Sequence, residues 1–403
     1  MKCKFTGKKI KPFMSFGKMP IANGFLKKKD FKKEFFYNME VAFSKEMSLF
    51  QIADHPSPSK MFHKNYPFYT SSSKDMVEHF KRYFEWSKKF LSADSKIVEI
   101  GSNDGSFLVN FKNQKFDCIG FEPSKNVSDY ANKRGLKSIN NFFNLKSISK
   151  IKNYMHQTDL ICAANAICHI PNIKELFTCV DKLLSKNGVF IFEEPYLGSV
   201  FEKTSYDQIY DEHIFIFSGS AIKKIAKRFN MRLIDMIPQK THGGSMRYVV
   251  TRNGNKHNIS NSVKKTILKE KKKNLDNGLF CNKFKLSCEK LKKNLRKKLI
   301  KLKSQNKKIF GYAATSKSTT ILNYCDIGPE IIDFITDTTS EKINKYSPGK
   351  HIPIINHKEF FKKNYDVAVL FAWNHQKEIF KKEKKFSSNG GKWLTFFPNI
   401  KIW

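Results

Sequence analysis

The feature that most constrains this chain is a phrase that recurs from residue 96 onward, in which a short apolar run is followed by a helical stretch. The runs are Lys96-Ile97-Val98-Glu99-Ile100, Cys118-Ile119-Gly120-Phe121-Glu122, Leu160-Ile161-Cys162-Ala163-Ala164 and Val189-Phe190-Ile191-Phe192-Glu193. Apolar strands separated by helices predict a parallel sheet covered on both faces. Two further runs, 232–236 and 245–250, complete that layer. A second set, 308–312, 331–335 and 366–371, predicts another unit of the same kind. The fold class is therefore α/β, with a Rossmann-like sheet, a second Rossmann-like α/β domain after it, and a small N-terminal domain before it.

A chain of 403 residues exceeds what one core serves. Four segments follow. Residues 1–75 are a Pro-, Lys- and aromatic-rich opening domain, and 76–255 carry the first α/β unit, entered through an amphipathic helix over 76–90. Residues 256–307 are a Lys-rich connector in which Phe280, Phe284, Cys288, Leu291, Leu295, Leu299 and Leu302 fall at helical spacing, so a long amphipathic helix is expected. Residues 308–403 form the last α/β unit.

The net charge of +38 invites a nucleic-acid reading. Only seven of the 74 basic residues are Arg, and the Lys are spread along the whole chain. Forked recognition of phosphate or bases favours Arg, whereas dispersed Lys is mostly solvated surface. No nucleic-acid partner is expected. With no membrane-length apolar run and no signal-peptide core, no membrane partner is expected either, and the chain reads as cytoplasmic. The eight cysteines contain no C-x-x-C pair, and several sit inside apolar runs as small hydrophobes.

Between the first strand and the next helix stands Glu99-Ile100-Gly101-Ser102-Asn103-Asp104-Gly105. Gly101 and Gly105 permit a tight turn and close ligand approach. Glu122 ends the following strand, where an acid can accept both hydroxyls of a ribose. The third glycine of a dinucleotide fingerprint is missing. An acid, G-x-x-x-G and a second-strand acid are instead the pattern of class I methyltransferases. The expected cofactor is S-adenosyl-L-methionine (SAM), held by Glu99, Gly101, Ser102, Asn103, Gly105 and Glu122.

Three polar clusters follow. Asn165 and His169 stand four apart just past the third strand, at the sheet's carboxyl edge. Tyr206-Asp207-Gln208-Ile209-Tyr210-Asp211-Glu212-His213 gathers phenols, carboxylates and an imidazole, the types that abstract protons and stabilise oxyanions. A helix there would align Tyr206, Tyr210 and His213. Thr241-His242-Gly243-Gly244-Ser245-Met246-Arg247 could turn backbone N–H groups toward an anion beside Arg247, or be a plain hairpin turn.

Together these segments resemble the nucleotide-sugar C-methyltransferase family. The resemblance also takes in residues 20–26 (P-I-A-N-G-F-L), 66–73 (Y-P-F-Y-T-S-S-S), 311–317 (G-Y-A-A-T-S-K), 346–353 and 372–374. It implies SAM-dependent methylation of a carbon on a nucleoside-diphosphate-linked 4-keto deoxysugar. It makes His213 the base, Tyr210 and Glu212 its partners, and Asn165 and His169 groups on the substrate side. Tyr66 or Tyr69 would reach in from the opening domain, with His242, Arg247 and Lys317 as further substrate contacts. Lys317 would belong to the nucleotide end. One departure stands out. The family's opening domain carries four zinc-binding cysteines, of which only Cys3 is present; Thr6, Ser44 and Met47 occupy the other positions. One thiolate cannot close a tetrahedral site, so no metal is expected. The alternatives are a small-molecule O- or N-methyltransferase, a nucleic-acid-binding protein acting through the Lys-rich connector, and a non-catalytic scaffold.

Overall fold

The computed structural model describes residues 1–62, 66–362 and 364–403. Among them the strands form three sheets. In the central, seven-stranded sheet Ser138–Ile139, Asp117–Phe121, Lys96–Ile100, Thr158–Ala164 and Leu184–Pro195 run parallel. The hairpin Ser245–Arg252 and Met231–Gln239 closes its edge, the first of these antiparallel to Leu184–Pro195. The third sheet is ordered Ile354–Asn356, Ile335–Asp337, Ile309–Tyr312, Val367–Leu370, Lys392–Thr395 and Lys401–Ile402, with only the last strand antiparallel.

The opening sheet is antiparallel and combines Pro12–Pro20, Phe36–Ser44 and Leu49–Ile52 with Phe215–Ile216. That last strand comes from the middle of the chain, directly after the Tyr206-to-His213 cluster.

The expected stripe-bearing helix is present with a second helix before it, and one strand expectation needs correction. The Lys-rich connector is two helices, Asn261–Lys272 and Phe280–Ser304. Between them the backbone turns left-handed at Asn274 and Gly278, and a side chain at Gly278 would strike the Phe43 ring at 2.6 Å. The expected apolar stripe is buried along the second helix, where Phe280 meets Phe43 and Phe284 meets Phe50 of the opening sheet. The strand expected over 331–335 starts only at Ile335. Ile331 and Ile332 donate instead to Gly328 O, closing a turn whose apolar side chains are still buried.

Candidate active site

One cavity of about 1570 Å³ runs from the Gly101 loop, past the Tyr206-to-His213 cluster, to the first helix of the last α/β unit. Its cofactor end is built by the strand Lys96–Ile100. Gly101 takes φ +71° and donates its N–H to Phe121 O at 2.9 Å. A Cβ there would lie 2.5 Å from that of Ala166, so the position requires glycine. Glu122 accepts from Asn103 N (3.0 Å) and Ser124 N (2.7 Å), fixing the loop. Asn103 Oδ1 accepts from Thr70 N and Asp104 from Ser71 N, so the segment after Tyr66 folds over the loop. Gly105 shapes the turn at φ +77° and does not line the cavity.

Glu99 Oε2 and Ser102 Oγ are buried without hydrogen-bond partners among the described residues. Burial, with Asp104 and Glu122 nearby, holds the Glu99 carboxyl well above its ordinary range. Buried orphaned acceptors are costly unless a ligand completes them. A cationic, hydroxyl-rich molecule such as SAM fits them.

In the middle of the cavity, Tyr206–Gln208 is a single 3-10 turn and the rest of the cluster is irregular. The helix that would have aligned Tyr206, Tyr210 and His213 is absent there. Tyr206 instead points into the core, with its hydroxyl 3.1 Å from Cys325 Sγ. The turn brings Tyr210 and His213 together by a different route. His213 Nδ1 lies 2.7 Å from Gln208 O, a group that can only accept, so Nδ1 carries the proton. Nε2 is left as an acceptor and takes the Tyr210 hydroxyl at 2.8 Å. Burial, reinforced by His169, His242 and Lys317, pushes His213 well below its usual range. It is a neutral, oriented imidazole.

His169 stacks on His213 with ring centroids 5.3 Å apart, and burial pushes it down to about 4. His169 Nε2 and Asn165 Oδ1 line the cavity without partners among the described residues. Asn165 adopts φ +54° and donates its N–H to Glu193 O, so left-handed backbone, not a helical face, brings it beside His169. Glu212 takes Asn23 Nδ2 at 2.6 Å and the Tyr66 hydroxyl at 3.3 Å, and burial raises it to about 7. Tyr69 also lines the cavity, its hydroxyl accepting from Asn126.

His242 and Lys317 also line the cavity. Arg247 does not reach the cavity. It faces Glu193 on the neighbouring strand and pairs with it at 2.5 Å, while its guanidinium packs 3.9 Å from the Tyr83 ring. The other Glu193 oxygen is 2.5 Å from His79 Nε2. At the paired glycines, Gly244 donates its N–H to Thr241 O, closing a turn of the protein's own backbone.

Sequence reasoning passes over Asn23 and Glu194. Glu194 is raised to about 7 by burial and accepts from Ala166 N (3.0 Å) and Ile167 N (2.6 Å), holding up the loop above Gly101. A carboxylate closing a strand is the available signal.

As for metals, the opening-domain positions offer one thiol, two hydroxyls and a thioether. Cys3 Sγ accepts from Thr6 N, and Ser44 Oγ accepts from Met47 N. That donor set does not fit a closed tetrahedral zinc site. Cys168, His169 and His213 place donor atoms within 4.8 Å of one another, but both His213 nitrogens are already engaged.

A family model for a methyltransferase domain matches residues 74–235, one for a C-methyltransferase C-terminal domain matches 240–398, and one for a zinc binding domain matches 3–62. The C-methyltransferase NovU of Streptomyces niveus is 26% identical over 392 residues, covering 96% of this chain and 93% of its own. The chain is a SAM-dependent methyltransferase, and over nearly its whole length it is similar to C-methyltransferases. Solved structures similar to part of it include the PH0226 protein from Pyrococcus horikoshii OT3 (15% identity, TM-score 0.38, covering 47% of this chain and 97% of that one). Another is an S-adenosylmethionine-dependent methyltransferase from Clostridium acetobutylicum ATCC 824 (14%, 0.34, 44% and 92%). Among the described residues no helix of this methyltransferase is long and apolar enough to cross a membrane.

Proposed function

We propose that this enzyme methylates a carbon beside the keto group of a nucleoside-diphosphate-linked deoxysugar, through an enolate formed by proton removal. The observation that carries the reading is the buried Tyr210–His213 pair, with Nδ1 pinned and Nε2 free of its own proton. Methyl transfer to oxygen or nitrogen needs no carbon acid and has little use for such a base. The cavity also continues to the last α/β unit, leaving room for a nucleotide beyond the sugar.

SAM, when bound, supplies an electrophilic methyl group; Glu99, Ser102, Asn103 and Glu122 would hold it. The Tyr210–His213 pair takes the α-proton, a role worth about 10²–10⁴ in rate. Asn165 and His169, orphaned and facing the cavity, orient the sugar. Glu212, tied to Asn23 and Tyr66 of the opening domain, fixes the wall beside the base.

The test omits the cofactor. Incubated with nucleotide-linked 4-keto sugars in deuterated water, the enzyme should exchange the α-proton, and His213→Ala should abolish exchange. Methyl transfer to oxygen or nitrogen, with no exchange, would overturn the assignment.

A further inference from the structure

Lys317 is the one cavity-lining group whose surroundings fit its expected place at the nucleotide end poorly. It lies in the first turn of the helix Ser316–Tyr324, which packs on the catalytic loop. Thr320 Oγ1 donates to Ile209 O at 3.0 Å, tying the helix to the loop that carries Tyr210 and His213. Lys317 is only 8% exposed, and it shares the cavity wall with Tyr210, His213 and His242.

Its counter-charge is Asp207, fully buried under the same loop. Asp207 Oδ2 accepts from Trp373 Nε1 at 2.7 Å, while Oδ1 has no hydrogen-bond partner among the described residues. Trp373 is itself wedged against Gly243, where no side chain would fit. Burial, partly offset by Asp207, pushes Lys317 down to about 8, so it stays largely cationic near neutral pH. Its charge also acts on His213 and His242. A buried cation that shares a cavity wall with a neutral base is arranged for negative charge that appears during reaction.

We propose that Lys317 meets the oxyanion that develops on the substrate's keto oxygen, with Asp207, fixed by Trp373, as a buried counter-charge that favours its cationic form. This rests on the carbon-acid reading above and moves Lys317 from the nucleotide to the reacting centre. In the step, the α C–H bond breaks and its proton goes to the Tyr210–His213 pair. The C–H electron pair forms a double bond to the former carbonyl carbon, and the carbonyl π pair moves onto oxygen, which accepts a hydrogen bond from the Lys317 ammonium. When the carbon bonds to the methyl group, the methyl–sulfur bond of the bound donor would break with its pair left on sulfur, while the oxygen returns its pair and the carbonyl re-forms.

The experiment compares wild type, Lys317→Met, Lys317→Arg and Asp207→Asn by cofactor-free solvent exchange, over a range of concentrations of a nucleotide-linked 4-keto sugar. Calorimetry with the bare nucleoside diphosphate runs alongside. Lys317→Met should lower kcat for exchange by about 100-fold while KM and diphosphate affinity change by less than about threefold. Lys317→Arg should recover part of kcat, and Asp207→Asn should lower kcat by about tenfold with KM unchanged. SAM titration of each variant confirms that it is folded. Loss of diphosphate affinity with kcat retained at saturation would overturn the proposal and return Lys317 to the nucleotide. Unchanged exchange in Lys317→Met would overturn it as well. If wild type itself exchanges no proton, the carbon-acid reading falls, an outcome distinct from failure of Lys317 alone.

Discussion

The two α/β units solve the same local problem in opposite ways. In the central sheet the chain leaves its first strand at Gly101 (φ +71°), bonds to Phe121 O, and lays a loop N–H on the second-strand acid Glu122. In the last sheet it leaves at Ala313 (also φ +71°), bonds to Thr336 O at 2.9 Å, and lays Ala314 N–H on the second-strand acid Asp337 at 2.8 Å. The difference is what else reaches the loop. Lys342 lies 3.9 Å from Asp337 and donates to Ala314 O, so the second loop is closed by the protein's own cation. Around the first loop Glu99 and Ser102 remain orphaned among the described residues. One turn is left for a ligand and the other is already filled.

The largest test of this contrast exchanges the pivots. Gly101→Ala places a Cβ against Ala166 in left-handed backbone, and should weaken SAM binding by about 1,000-fold, roughly 4 kcal/mol. Ala313→Gly should leave SAM affinity unchanged and cost or gain no more than about 1 kcal/mol in stability. Calorimetric titration and denaturant unfolding read the two; a larger effect at Ala313 would break the comparison.

Next is the roof over Gly101, which hangs on Glu194. Its folded value near 7 lies above the ordinary 4.5, so between those values the folded state binds the extra proton, and stability from this group falls as pH rises. Glu194→Gln does not titrate. Its stability relative to wild type should therefore improve on going from pH 4.5 to pH 7.5, by on the order of 3 kcal/mol. Urea unfolding at the two pH values measures this, and a gap independent of pH would show that Glu194 is charged throughout. The last unit's counterpart, Phe371 over Gly311, carries no such group.

Smaller again, Glu122→Gln should cost about tenfold in SAM affinity, while Asp337→Asn should leave it untouched and lower stability by about 1 kcal/mol. The smallest expected effect is none at all: a chelator should not move the thermal midpoint, because the Cys3, Thr6, Ser44 and Met47 positions do not make a zinc site. Stoichiometric zinc in protein purified without added metal would contradict that.

Much of this layout is legible in the amino-acid order itself. Strand positions follow from apolar runs, and Gly101 and Glu122 from a local pattern that forces a turn and an acid to the same sheet edge. The stripe from Phe280 to Leu302 follows from helical period. What stays hidden is nonlocal. The hydrogen bond from Asn23 to Glu212 joins residues 189 apart, which no periodicity encodes. Arg247 reads as an anion contact because its neighbours are glycines, but its partner is set by strand register. Ala313 gives no sign of left-handed backbone, since alanine does not favour it.

The strand Phe215–Ile216 has a consequence for how such an enzyme can be inherited. It follows His213 by two residues and is stitched into the sheet of the opening domain through Phe50 and Gln51. A gene fusion that swapped the central unit as a cassette would tear the catalytic loop from the surface that shapes it. Recombination within this lineage should therefore carry the opening and central parts together.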